Sequence, residues 1–215
     1  MCSKRQLDNQ PVRGSENFVT LSMENEIFYH GSGLLFENFD LSHALEGDGK
    51  VKFGYGVYVT SAYSSAAHYS GSNDNWDSHY VYTVEIPAKT DDNFIAFKLP
   101  VNPSIISRAE CELQIEIPEK AKEDGKEFRK FLAKRFTPKE IADRKMSGLE
   151  GERQASRFLL SIGVEFIEWP YNWKNPSLGQ NRAVLDDKKV KIVRVDSVKL
   201  DENKKLIANS ISQIK

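Results

Sequence analysis

Cysteine is nearly missing from this sequence: 215 residues carry two, Cys2 and Cys111. They are too few and too ill-spaced for a disulfide framework or a zinc site, and a reducing cytoplasm is the compartment that fits. No apolar run approaches the ~18 residues that cross a bilayer. The opening Met1-Cys2-Ser3-Lys4-Arg5-Gln6-Leu7-Asp8 stays polar where a secretory signal turns apolar. Neither a membrane partner nor classical secretion is therefore expected. An excess of one charge is missing too: 30 Lys+Arg stand against 31 Asp+Glu, a net charge of -1. That excludes a chain built to coat nucleic acid. His43, His68 and His79 show no metal-ligand spacing, so no metal is expected. There is no internal repeat, no low-complexity tract and no Gly/Ser-rich or Pro-rich linker.

What is present is enough apolar material for a core, with 40% hydrophobic and 11% aromatic residues. The length suits one domain carrying an insertion. Residues 1–25 lack a sustained period and read as a mobile N-terminal arm. A domain is expected over 26–197, with a C-terminal tail over 198–215.

Along that domain, Glu26-Ile27-Phe28-Tyr29-His30 reads as a strand stopped by Gly31-Ser32-Gly33. In Gly56-Val57-Tyr58-Val59-Thr60 the alternation puts Val57 and Val59 on one face and Tyr58 and Thr60 on the other. Ser61 is placed to cap a short helix through Tyr69. Further strands are expected from His79 to Pro87, Phe94 to Leu99, Leu113 to Ile117, Val164 to Trp169, Arg182 to Leu185 and Val190 to Val195.

Between Glu119 and Ile162 the pattern turns helical. Phe128, Phe131 and Leu132 form one apolar stripe, Thr137-Pro138-Lys139-Glu140 reads as a capping box, and Ala155, Phe158, Leu159 and Ile162 mark another buried face ended by Gly163. The stretch from Glu119 to Lys145 holds ten basic and six acidic residues. Such a stretch reads first as a solvated helix face and second as a partner surface. The class is α+β.

Three short segments carry more than any one of their residues does: Tyr29-His30-Gly31-Ser32, then Phe53-Gly54-Tyr55-Gly56-Val57-Tyr58-Val59-Thr60, then Ala66-Ala67-His68-Tyr69. In that order and spacing they resemble the NAD-binding core of the diphtheria-toxin-like and poly(ADP-ribose)-polymerase-like ADP-ribosyltransferases. Ala155 to Val164, Trp169-Pro170 and Asn181 to Ile192 look like the closing segment of bacterial and phage members of that group. The resemblance spans roughly residues 26–197 and is loose over 98–150. It implies a core of two packed, mainly antiparallel β-sheets around an NAD cleft, with a helical insertion near 119–162.

It also implies roles. His30 would hydrogen-bond the adenosine-side ribose, the backbone of Gly31 would pair with the nicotinamide carboxamide, and Ser32 would assist. Tyr58 and Tyr69 would sandwich the cationic ring. Many relatives have a catalytic Glu at the third position, where this chain has Asn181. An amide can bond the nicotinamide-side ribose but supplies no charge. A carboxylate ~4 Å from the developing cation contributes about 4 kcal/mol at an effective dielectric of ~20. Its uncompensated loss costs about a thousandfold in rate.

Asp187, six residues further along a strand, lies about 20 Å away and cannot substitute. Glu165 and Glu168 read as exposed strand carboxylates or as residues reaching the cleft, and the register needed to decide is not in the sequence. Lack of the Glu argues against elongation into polymer. The loop from Trp169 to Gly179 is similar in position to the family's target-recognition loop, with Tyr171 and Trp173 either as its contact residues or as ordinary loop packing.

The expectation is thus a mono-ADP-ribosyltransferase with His30, Tyr58 and Asn181 as its catalytic set. NAD would be the substrate and a macromolecule the acceptor, protein ahead of nucleic acid. A bacterial toxin or effector role, and with it an antitoxin partner, follows from the resemblance alone. An NAD glycohydrolase and a non-catalytic NAD- or ADP-ribose-binding module are the alternatives.

Overall fold

The structure is a computed structural model, and it describes residues 25–43, 51–73, 75–141 and 143–215, with the side chain of Lys145 left aside. The expected N-terminal arm, apart from Asn25, lies outside the described residues, as does Cys2. The chain is mixed α/β. Eight strands, β1 (Glu26–Ser32), β2 (Val57–Thr60), β3 (His79–Ile86), β4 (Phe94–Ala96), β5 (Phe166–Pro170), β6 (Gln180–Val184), β7 (Lys191–Val198) and β8 (Ser212–Gln213), form one sheet in the order β4-β5-β6-β2-β1-β3-β7-β8. All its pairings are antiparallel except β4 with β5. Among the described residues the helices are α1 (Tyr63–Ser70), α2 (Pro103–Leu113), α3 (Glu119–Lys122), α4 (Gly125–Phe136) and α5 (Arg144–Ser161).

The strands hydrogen-bond as one sheet and not as the two expected, but its centre is nearly parted. Strand β1 pairs with β3 along all seven of its residues, from Glu26↔Ile86 to Ser32↔Tyr80, whereas its only register pair with β2 is Tyr29↔Thr60. Past that point the two strands diverge.

Apolar side chains alternate to both faces of the sheet. On one face Ile167 and Ala183 join Ile105, Phe128, Leu132 and Leu159 of the helices in a buried cluster, against which Tyr58 packs. On the other, Phe28, Val57, Val59, Tyr82, Phe166 and Val184 form a second, covered by Phe36, Phe39 and Leu41. A third lies under α1 around Ala66, Ala67, Val81 and Val198. Burying each large side chain in these clusters contributes about 1.5–3 kcal/mol.

Several local expectations change. Ser61 does not cap α1: its hydroxyl accepts the Gln180 N–H at 2.9 Å, and the cap position is Ala62, without a side-chain bond. Leu113 to Ile117 is not a strand; Leu113 ends α2, and Gln114 turns the chain at φ 54°. Helix α2 begins on an Asn102 cap, whose side chain accepts the Ser104 N–H, followed by Pro103. Thr137-Pro138-Lys139-Glu140 opens no helix. Thr137 closes α4, its hydroxyl donating to the Ala133 carbonyl, and α5 starts only at Arg144. Asp124 caps α4 by accepting the Glu127 N–H at 2.8 Å. Gly163 does terminate α5, at φ +85°.

Candidate functional site

The divergence of β1 from β2 opens a cleft of about 880 Å³. Its lining includes His30, Gly31, Ser32, Tyr58, Tyr69 and Asn181, so the six residues singled out for catalysis and NAD contact, spread over 152 positions of sequence, meet around one space. The cleft reaches both faces of the sheet. His30 shares the face of Phe28, whereas Tyr58 and Asn181 share that of Ala183 and Ile167, as strand alternation requires. Only where two strands part can side chains of opposite faces converge in this way.

His30 is held from several sides. Its Nδ1–H donates to the Tyr58 carbonyl at 2.8 Å, which fixes the tautomer and leaves Nε2 as the acceptor. Phe39 meets the imidazole edge-on at 5.0 Å, with Phe36 and Tyr82 each 6.1 Å away. Burial among these rings lowers its pKa from 6.5, against a smaller upward pull from the carbonyl bond. A neutral imidazole with one free lone pair suits a hydroxyl donor.

Gly31 lies directly beneath α1: a Cβ there would sit 1.8 Å from the Ala66 carbonyl oxygen. The Ser32 hydroxyl accepts the Leu34 N–H at 3.0 Å and so shapes the turn out of β1. Tyr82 Oη accepts from the Phe36 N–H and donates to the Leu34 carbonyl, both at 2.9 Å, anchoring the wall above His30. Asp187 Oδ2 accepts the Leu41 N–H at 2.7 Å at the wall's far end.

Tyr58 is fixed by its hydroxyl, which accepts the Phe53 N–H and donates to the Gly54 carbonyl, both at 2.9 Å. Burial pushes its phenol up to about 12. Tyr69, by contrast, is 51% exposed at the cleft mouth. Burial of its hydroxyl end raises its pKa, and the nearby phenol of Tyr171 adds to the rise.

Asn181 is 5% exposed, and its Oδ1 has no hydrogen-bond partner among the described residues. It pairs in register with Thr60 on one side and Trp169 on the other. A buried acceptor left unmet beside a cleft is an exception that a functional role would explain. Neither Glu165 nor Glu168 lines the cleft. Glu168 points to the opposite face, where it accepts from Arg182 Nε at 2.9 Å and from Lys89; Glu165 binds Lys189 and Asn93. Arg182 is itself clamped between the rings of Phe28 and Phe166, at 4.5 and 4.2 Å.

Tyr171 and Trp173, each 43% exposed, do not line the cleft. Their loop is closed by the Tyr171 N–H on the Gly179 carbonyl at 2.9 Å, and Lys98 Nζ lies 4.3 Å from the Trp173 ring centre. His68 and His79 bond the carbonyls of Lys204 and Ser70, and His43 is near Asp40. Among the described residues no group of three potential metal ligands gathers, and no helix is long and apolar enough to cross a membrane.

Sequence reading missed Trp169, Trp76, Phe36 and Phe39 as parts of the cleft, the last two backed by the buried ring of Tyr82. Trp169 was visible as the residue before Pro170, but its place opposite Asn181 depends on register. No protein-family model matches the chain, and no curated protein is similar to it.

Proposed function

We propose that this chain is an ADP-ribosyltransferase of the diphtheria-toxin-like and poly(ADP-ribose)-polymerase-like class, transferring ADP-ribose from NAD to a macromolecular acceptor with release of nicotinamide. The observation that carries the reading is the meeting of His30, Tyr58, Tyr69 and Asn181 on one cleft, between strands that part after a single register pair. At about 880 Å³ the cleft is within the range of ~300–1,000 Å³ that holds sizeable ligands. NAD would lie bent across the parted strands. Neutral His30 accepts a hydroxyl of the adenosine-side ribose, and the β1 backbone at Gly31 meets the carboxamide. Tyr58 and Tyr69 flank the nicotinamide, and Asn181 bonds the other ribose. The glycosidic bond breaks to nicotinamide and an oxocarbenium-like sugar, which the acceptor captures.

With an amide at the third position, transfer stops at one unit. A cytoplasmic toxin or effector, held in check by an antitoxin, is the biological setting that accords with this reading. A second reading, a non-catalytic module that binds NAD or ADP-ribose, draws on Asn181 and on the engagement of Glu165 and Glu168 in ion pairs. Incubation with labelled NAD, with and without a lysate of the source organism, separates them. Label on a macromolecular band supports transfer, and nicotinamide release without label makes the protein an NAD glycohydrolase. Saturable binding with neither outcome makes it a binding module, and no binding at all overturns the proposal.

A further inference from the structure

The Phe53-Gly54 segment that receives the Tyr58 hydroxyl is held from below by a residue of the helical insertion. Arg129 of α4 is 6% exposed; its Nη2 donates to the Lys52 carbonyl at 3.3 Å, and its Nη1 forms an ion pair with Glu152 of α5. Gly54, at φ +116°, lies where a Cβ would be 2.6 Å from Ile167 Cδ1 and 3.5 Å from Arg129 Cδ. One residue earlier, Phe53 stacks on Trp169 with ring centres 4.1 Å apart and planes 4° from parallel. Lys52, Phe53 and Gly54 are thus tied to the insertion through Arg129, to β2 through Tyr58 and to β5 through Trp169.

The pair is an expensive one to keep if stability were all it served. Arg129 Nε and Glu152 Oε2 have no hydrogen-bond partner among the described residues. Buried ion pairs with unmet atoms are commonly matched or bettered by apolar packing of the same volume. What an apolar pair lacks is direction: the guanidinium fixes the Lys52 carbonyl, and with it the loop that orients the Tyr58 ring.

We propose that Arg129, held by Glu152, is a positioning residue for the nicotinamide end of the cleft, acting through the Lys52–Gly54 loop on Tyr58. This rests on the reading of Tyr58 as a nicotinamide-stacking residue, and it gives the helical insertion a part in NAD binding. Losing a hydrogen bond from a charged group to that loop is expected to weaken NAD binding about tenfold.

The test compares wild type with Arg129→Met, Arg129→Lys and Glu152→Gln, each in full-length protein, and each also made with Tyr58 replaced by fluorotyrosine. Steady-state nicotinamide release gives KM and kcat, fluorine NMR reports the surroundings of residue 58 without NAD, and circular dichroism checks folding. The expected result is a KM for NAD raised about tenfold in Arg129→Met with kcat changed much less. A displaced fluorine resonance and partial recovery of both in Arg129→Lys complete the pattern. A folded Arg129→Met with wild-type KM and an unmoved resonance overturns the proposal. Should that variant not fold, Glu152→Gln decides by the same two readings. If wild type releases no nicotinamide, the transferase reading fails by itself. The fluorine comparison then still decides whether Arg129 sets the position of residue 58.

Discussion

The carbonyl of Tyr58 accepts the Nδ1–H of His30 at 2.8 Å, so the backbone of one strand sets the tautomer of an imidazole on its neighbour. The bond bridges β1 and β2 just where their ladder ends, and it leaves Nε2 toward the cleft as an acceptor. A positioning role for His30 therefore needs the ring uncharged.

Stability should record that requirement. Burial among Phe36, Phe39 and Tyr82 lowers the His30 pKa from 6.5 in the folded chain, while the unfolded chain keeps the ordinary value. As pH falls through about 6.5 the unfolded state takes up a proton that the native state refuses until lower pH. The contribution of His30 is then complete above that value and is lost as pH falls toward the native pKa. Thermal melts from about pH 7.5 to 5 should show wild type losing Tm faster than His30→Gln, which has nothing to titrate there. Parallel declines would mean that the ring is not protected.

Tyr58→Phe should separate the two uses of that side chain. The ring remains available for stacking, while the Phe53 N–H and the Gly54 carbonyl lose their shared partner. Leaving such groups unmet costs about 2 kcal/mol. The urea midpoint should drop accordingly, with NAD turnover falling less than in Tyr58→Ala, which removes the ring as well. Equal turnover in the two variants would place the importance of Tyr58 in its hydroxyl.

Gly31→Ala tests the contact between β1 and α1. The added methyl would meet backbone, the Ala66 carbonyl oxygen at 1.8 Å, and not the flexible end of a side chain, so α1 must shift. Overpacking of this kind costs about 3 kcal/mol. Tyr69 near the end of α1 would move with it. Lower stability together with weaker NAD binding is expected, measured by denaturation and calorimetric titration; retention of both would show that the helix can slide freely.

The strands around His30 and Tyr58 were legible because short runs rich in β-branched and aromatic residues next to glycines are a local signal, although β1 runs on through the expected stop at Gly31 to Ser32. Helix α2 is absent from the sequence reading although Asn102-Pro103 marks its start, and the apolar residues of Leu113 to Ile117 read as extended where Gln114 breaks the chain. Thr137-Pro138 misled for a physical reason: the same residue types that start helices also stop them, and Thr137 satisfies a carbonyl of the helix behind it. Nothing local revealed that β1 meets β2 at one pair only, or that Glu168 turns away to Arg182 while Trp169 faces the cleft. Those follow from register, which is a property of the assembled sheet.

Asn181 gives the sharpest contrast between function and stability. Its Oδ1 is buried without a partner, so cutting the side chain back to Ala removes an unmet acceptor along with a few packing contacts, and folding stability should change by less than about 1 kcal/mol. If the amide bonds the nicotinamide-side ribose as proposed, turnover should nevertheless fall about tenfold, the worth of one good hydrogen bond realised as the sugar becomes cationic. His30→Ala and Tyr58→Ala remove a positioned ring each and should cost more. Denaturation curves and nicotinamide release on the three variants decide the matter. Unchanged turnover with clearly reduced stability in Asn181→Ala would make the residue part of the β6 packing and move the chemistry elsewhere in the cleft.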